Sequence, residues 1–187
     1  MALAFRRGWC VWLTGLPGSG KTTIANELKN ILRKHGICAQ IVSSDIFRKF
    51  VTPNPKYTEE EREFVYRAIV FTSKLLTENG ANVIIDATGN RRKFRELARG
   101  EIRNFAEVYV KCPLELCMKR ESKRVDRYAP KNIYKKGLEG KSSTVPGLGV
   151  PYETPINPEI IVDSEKLDAL ACAQKIFDYI KKNFMKI

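Results

Sequence analysis

Short apolar runs and longer amphipathic stretches alternate along the chain. The apolar runs predict five buried strands, at residues 9–14, 39–43, 82–86, 106–111 and 160–162. Apolar residues that recur every three or four positions predict helices at residues 22–34, 58–79, 92–104, 113–122 and 167–184. Repeated strand–helix units are typical of an α/β fold, here a five-stranded parallel sheet with helices on both faces.

A glycine-rich loop lies between the first predicted strand and the first predicted helix. It fits G-x-x-x-x-G-K-[ST], the phosphate-binding P-loop, and so predicts a P-loop NTPase fold. Glycines let backbone N–H groups approach phosphate oxygens, and the helix start adds unpaired N–H groups. Lys21 is a candidate catalytic residue at the β/γ-phosphates, and Thr22 a candidate Mg²⁺ ligand. The predicted ATP-binding residues are Gly15, Leu16, Pro17, Gly18, Ser19, Gly20, Lys21, Thr22 and Thr23.

Carboxylates follow the second and third predicted strands. Asp45 precedes Arg48 by three residues, so the two share a face if a helix begins here. Asp45 is a candidate for taking the proton from the hydroxyl group of the acceptor substrate, or for holding Mg²⁺. Arg48 is a candidate for pairing with a substrate anion. A helix N-cap and a surface arginine are the alternatives. Asp86 ends a Walker-B-like strand and is a candidate for orienting Mg²⁺. We expect the loop, Asp45 and Asp86 at one edge of the sheet, where ligands bind.

The composition narrows the possible classes of protein. The chain has 187 residues, enough for one α/β domain, and no apolar run approaches the ~20 residues of a membrane span. Five scattered cysteines and the absence of a signal-peptide pattern favour a cytoplasmic location. The net charge of +12 suits anionic partners such as small-molecule nucleotides. No nucleic-acid-binding motif is visible, so nucleic acid is an unlikely partner. The basic residues at 91–93 and 119–141 are candidates for lining a phosphate-rich site.

A long segment at about residues 121–158 has many Lys, Gly and Pro residues and no clear apolar period. Loops of this length are usually functional or disordered, and in a phosphotransferase the functional interpretation is a basic lid. The chain is therefore predicted to be a single kinase domain, residues 1–187, with this lid. One of Arg120, Arg124 and Arg127 is a candidate for neutralising the transferred phosphate, with a solvated basic face as the alternative.

Several motifs resemble, in order and spacing, those of the adenylylsulfate kinases of sulfate assimilation. They are the opening at residues 12–23, Asp45-x-x-Arg48, the segment from Tyr57 to Arg62, Tyr134-Lys135-Lys136, Gly147-Leu148, and residues 151–160. The resemblance covers residues 12–163. It implies ATP-dependent phosphorylation of the ribose 3′-hydroxyl of adenosine 5′-phosphosulfate, with Mg²⁺. It also implies catalytic roles for Lys21, Asp45 and Asp86, metal ligation by Thr22 and Asp45, and acceptor binding by Asp45, Arg48, Tyr57, Arg62, Lys135, Lys136 and Leu148.

The chain departs from the family pattern on the acceptor side. Val65 stands where the family has asparagine, and Val145 where a lid phenylalanine stacks on the substrate adenine; Tyr57 and Tyr152 are possible substitutes. Gly89 stands where the family usually has a serine that can carry a phosphate. About eight additional residues separate Arg120 from Tyr134.

Two other functions remain open from the sequence. The first is a kinase for another nucleotide or for a hydroxyl linked to tRNA. The second is a nucleotide-binding switch without catalysis, which needs neither Asp45, nor Asp86, nor a long basic lid. A homodimer is possible.

Overall fold

The predicted strands form one parallel sheet. A computed structural model describes residues 7–124 and 129–185. Its strands are β1 (Cys10–Thr14), β2 (Ala39–Ser43), β3 (Asn82–Asp86), β4 (Phe105–Lys111) and β5 (Ile160–Asp163). Their order within the sheet is β2-β3-β1-β4-β5, and the four neighbouring pairs run parallel.

Helices cover both faces of the sheet. They are α1 (Lys21–Lys34), α2 (Ser44–Val51), α3 (Glu59–Glu78), α4 (Arg92–Glu101), α5 (Leu114–Ser122), α6 (Ile133–Leu138) and α7 (Ala169–Phe184). Side chains alternate along β1: Val11 and Leu13 pack into the core with α1 and α7, whereas Cys10 and Trp12 pack into the core with α3 and α4. Of the helices in the described ranges, none is long and apolar enough to cross a membrane.

The structure confirms the predicted order of strands and helices and adds two short helices. α2 was only a conditional expectation, and it forms, so Asp45 and Arg48 lie on one helix. α6 lies inside the predicted lid and contains Gly137, which weakens a helical pattern. α4 ends before the predicted residue 104, because Ile102 takes an extended conformation with φ −112° and ψ 114°.

The strand register brings the candidate residues to one edge. Leu13 in β1 and Ser43 in β2 both lie opposite Asp86 in β3. Because the strands are parallel, the glycine loop after β1, the start of α2 and Asp86 meet at their carboxyl ends. This edge carries the candidate functional site.

Candidate active site

A cavity of about 580 Å³ opens at the carboxyl edge of the sheet. It brings together most of the residues that the sequence predicts for the site. Those that line it are Pro17, Gly18, Gly20, Lys21, Thr22, Thr23, Asp45, Arg48, Tyr57, Arg62, Asp86 and Lys136.

The P-loop wall of this cavity depends on two glycines with left-handed backbone. Gly18 has φ +82°, and a Cβ there would lie 2.3 Å from the carbonyl oxygen of Cys117. Gly20 has φ +98° and caps α1 without a side-chain hydrogen bond, and the first turn of α1 has no acidic residue. The N–H groups at this helix start therefore suit an anion such as a phosphate.

Lys21 closes the P-loop on itself. Its Nζ donates hydrogen bonds to the carbonyl oxygens of Gly15, at 3.0 Å, and Leu16, at 2.9 Å. Burial lowers the pKa of Lys21, and the negative charges of Asp86 and Asp45 oppose this effect. A buried ammonium group held beside the loop is suited to binding phosphate oxygens.

Two carboxylates face the same space as Lys21. Asp45 lies in the first turn of α2, and Asp86 ends β3 with 5% of its surface exposed. Arg124 lies opposite Asp45, with 3.6 Å between Arg124 Nη2 and Asp45 Oδ2. Asp45 is thus within reach of a cation on the α5 side of the cavity.

Arg48 and Arg62 form the opposite wall with the ring of Tyr57. Both arginines are 5% exposed, and their Cζ atoms lie 4.8 Å and 5.7 Å from the ring centroid. Arg62 Nε donates to the carbonyl oxygen of Tyr57, at 3.1 Å, and Arg62 Nη2 to that of Thr144, at 2.6 Å. Two guanidinium groups held in this way suit a sulfate or phosphate group.

Glu61 holds this wall in shape through a bond to Arg48 that the sequence did not predict. It pairs with Arg48 at 2.5 Å and accepts hydrogen bonds from the backbone N–H groups of Lys56, at 2.6 Å, and Tyr57, at 3.2 Å. Tyr57 has φ +58°, which is uncommon for a residue with a side chain. The sequence signal for this role is the spacing Thr58-x-x-Glu61, which is typical of a helix N-terminal capping box. Thr58 Oγ1 accepts a hydrogen bond from the Glu61 N–H, and the Glu61 carboxylate reaches back to the N–H groups that precede the helix.

Some predicted residues lie off the cavity wall. Gly15, Leu16 and Ser19 belong to the loop but do not line the cavity. Lys135 is an exposed residue 3.9 Å from Glu139, and Leu148 is 40% exposed and packs beside Gly137. The roles predicted for these residues stay predictions.

The two proposed replacements for the lid phenylalanine differ in position. Tyr57 lines the cavity, but Tyr152 does not; its hydroxyl lies 3.1 Å from Thr14 Oγ1. Val145 lines the cavity and is buried. The expectation that residues 91–93 line the site is wrong, because Arg91 and Lys93 pair with glutamates outside it.

The side chain of Arg95 fixes the loop after β3. This side chain is 1% exposed, pairs with Glu107, and donates hydrogen bonds to the carbonyl oxygens of Gly89 and Glu153. Gly89 has φ +52°, and a Cβ there would lie 2.9 Å from the indole ring of Trp12. The loop therefore holds Thr88 in the cavity wall.

Comparisons with known proteins show the family to which this chain is similar. The family model described as adenylylsulphate kinase matches residues 7–163. A probable adenylyl-sulfate kinase of Archaeoglobus fulgidus is 40% identical over 158 residues, which are 84% of this chain and 97% of that protein. An adenylyl-sulfate kinase of Rippkaea orientalis is 39% identical over 155 residues, 83% of this chain and 81% of that protein.

A solved structure gives the same result for the fold. The Mycobacterium tuberculosis APS kinase CysC, in complex with AMPPNP and APS, superposes with a TM-score of 0.83 and 28% identity, covering 94% of this chain and 98% of that one. The parallel sheet, its P-loop and the motifs of the acceptor wall thus occur together in a chain that belongs to the adenylylsulphate kinase family.

Proposed function

We propose that this protein transfers the γ-phosphate of ATP to the ribose 3′-hydroxyl of adenosine 5′-phosphosulfate, giving 3′-phosphoadenosine 5′-phosphosulfate and ADP. One observation carries the proposal: a single cavity joins a P-loop to a wall of two buried arginines at the family's motif positions. Its relative CysC was solved with AMPPNP and APS.

The nucleotide side consists of the P-loop and α1. Backbone N–H groups around Gly18 and Gly20 bind the phosphates of ATP, and the N-terminal end of α1 adds its positive dipole. Lys21 leaves the carbonyl oxygens of its own loop and neutralises charge on the β/γ-phosphates.

The acceptor side consists of Arg48, Arg62 and Tyr57. The two guanidinium groups bind the phosphosulfate, which orients the ribose toward the P-loop. Asp45 then accepts the proton of the 3′-hydroxyl as its oxygen attacks the γ-phosphorus, and the bond to the β-phosphate oxygen of ADP breaks. ATP and the acceptor alcohol thus give ADP, the phosphate ester and one proton.

Thr22, Asp45 and Asp86 fit a magnesium site. All three line the cavity and offer hydroxyl or carboxylate oxygens, the ligands that Mg²⁺ takes together with substrate phosphates. Bound there, Mg²⁺ supplies neutralisation of phosphate charge.

The alternative functions have less support. A non-catalytic switch needs no acceptor wall, yet Arg48 and Arg62 are buried around Tyr57 and face the P-loop across one cavity. A different nucleotide or a tRNA-linked hydroxyl remains testable as an acceptor, because Val145 in place of an aromatic side chain weakens selection for adenine.

We also propose a domain organisation, a location and an oligomeric state for this protein. The chain works as one domain, residues 1–187, in the cytoplasm, where its five free cysteines stay reduced. The segment at about residues 121–158 acts as a lid over the substrates. A homodimer covers the exposed face of α3, where Phe64, Phe71 and Leu75 are 58%, 61% and 45% exposed at helical spacing. Light scattering of the wild type and of Phe64→Glu tests this: a monomeric wild type contradicts the dimer.

The decisive experiment measures acceptor-dependent ADP release with Mg²⁺ and ATP. The panel contains adenosine 5′-phosphosulfate, its guanosine analogue, AMP and bulk tRNA, with product identity read by mass spectrometry. We expect turnover with adenosine 5′-phosphosulfate and a product phosphorylated at the 3′-position. No product from that acceptor at any concentration contradicts the assignment, and turnover with tRNA alone supports the alternative.

A further inference from the structure

The segment that follows α5 is longer than the family pattern, and its described start is firmly held. The N–H of Arg124 donates to the carbonyl oxygen of Glu121, at 3.0 Å. Glu121 is 3% exposed, and its Oε1 accepts a hydrogen bond from the N–H of Ile133, at 3.2 Å. The first residue of α6 thus closes back on the end of α5, close to Arg124, which lines the cavity.

The side chain of Arg124 enters the space between the P-loop and the acceptor wall. It lines the cavity, its side chain is 27% exposed, and its Nη2 lies 3.6 Å from Asp45 Oδ2. Its positive charge contributes to lowering the pKa of Lys21, although burial is the main cause, while Asp86 and Asp45 act in the opposite direction. Arg124 and Lys21 therefore line the same cavity, through which the γ-phosphate has to pass.

The nearby Arg120 serves a different purpose, although it also lines the cavity. Its Nη2 donates to the carbonyl oxygen of Ser164, at 2.8 Å, and its Nη1 to Ser164 Oγ, at 3.1 Å. Ser164 Oγ in turn donates to the carbonyl oxygen of Ser19, at 2.8 Å. Arg120 thus fixes the end of β5 against the P-loop. Arg127, the third sequence candidate, lies outside the described residues.

The Arg124–Asp45 pair is suited to exchange. Arg124 Nη2 and Asp45 Oδ2 are 3.6 Å apart and both side chains are partly exposed, and an ion pair of this kind contributes little to stability. A phosphoryl group in transfer spreads negative charge over three oxygens, and a guanidinium group binds two such oxygens at once. Its arrival gives Arg124 a partner with more negative charge than one carboxylate.

We propose that Arg124 is a further catalytic residue, which binds the phosphoryl group during transfer. This inference rests on the proposed kinase function. It assigns to a segment outside the family pattern a direct contact with the reacting group.

The test compares Arg124→Ala and Arg124→Lys with Lys123→Ala, an exposed neighbour that does not line the cavity. We expect Arg124→Ala to lower kcat about 100-fold or more, the size of effect seen when one donor to transition-state charge is removed. The KM values for both substrates change much less. Arg124→Lys recovers part of kcat, and Lys123→Ala resembles the wild type.

A second measurement separates catalysis from support of the fold. With the acceptor present, Arg124→Ala weakens binding of ADP with aluminium fluoride, which mimics the transferred group, but leaves binding of AMPPNP unchanged. Equal kcat values for Arg124→Ala and Lys123→Ala overturn the inference, as does an equal loss of affinity for both ligands. If the wild type itself does not turn over adenosine 5′-phosphosulfate, the proposed function fails instead, and the two failures are distinct.

Discussion

The hydroxyl of Tyr134 donates a hydrogen bond to the carbonyl oxygen of Pro17, across 2.9 Å. Tyr134 is 2% exposed and lies in α6, whereas Pro17 lies in the P-loop. This bond joins two segments that are 117 positions apart in the chain. A shift of α6 therefore changes the shape of the phosphate-binding loop.

Tyr134→Phe is expected to lower the free energy of unfolding by about 1 kcal/mol, because the Pro17 carbonyl loses its partner at a partly buried position. Urea unfolding followed by circular dichroism measures the change. Tyr179→Phe, on α7 and away from the P-loop, is the matched control. Equal stability of the Tyr134→Phe variant and the wild type contradicts the prediction.

Lys21→Ala is expected to lower kcat about 100-fold or more while the protein stays folded, since the γ-phosphate loses a preorganised cation. Lys29→Ala, an exposed lysine of the same helix, is the control. Turnover is measured at saturating ATP, and thermal unfolding shows whether the fold is intact. Near-wild-type turnover excludes a role for this lysine at the β/γ-phosphates.

Asp45→Asn is expected to lower kcat far more than it raises the KM for ATP. Asparagine keeps the shape of the side chain but neither accepts a proton nor binds Mg²⁺ strongly. If only the KM for ATP changes, Asp45 belongs to the nucleotide side.

Arg48→Ala and Arg62→Lys are expected to raise the KM for the acceptor by roughly tenfold or more, the effect of one lost charged hydrogen bond. Arg62→Lys keeps the positive charge, which limits the loss of stability at this buried position. It removes the paired N–H donors of the guanidinium group. Arg67→Ala, on the exposed side of α3, is the control. An unchanged acceptor KM in both variants shows that these arginines only support the fold.

Of the five cysteines, Cys38 alone is expected to react quickly with N-ethylmaleimide at pH 8, because it is exposed and the other four are buried. Burial raises the pKa of Cys117 to about 12, so this thiol stays protonated and unreactive at pH 8. Mass spectrometry of intact protein counts the adducts. Rapid modification of two or more cysteines in the folded protein contradicts this prediction.

The same shift predicts how stability depends on alkaline pH. Folding keeps a proton on Cys117 that the unfolded chain releases near its ordinary pKa of about 8.5. The contribution of this neutral thiol is complete below that pH and decreases as the pH rises toward 12. Urea unfolding at pH 7 and pH 10 measures the loss, and Cys117→Ala should reduce the difference between the two pH values.

The sequence predicted what short-range chemistry determines. The P-loop depends on neighbouring glycines and one lysine, and β3 on a run of β-branched residues, so both were readable in the chain. The contacts between Arg62 and Thr144 and between Arg124 and Asp45 join distant positions, so no local pattern reveals them. Glu61 falls between these cases, since its capping role was visible but its bond to Arg48 was not.

Gly89 limits how this enzyme can change. The family pattern has a serine here that can carry a phosphate, but serine at this position needs φ +52° and a Cβ 2.9 Å from the indole ring of Trp12. Trp12 itself is buried in β1 and donates to the carbonyl oxygen of Ala87, so it has no room to yield. Replacement of Gly89 by serine alone would therefore strain this loop before it restored the modifiable residue.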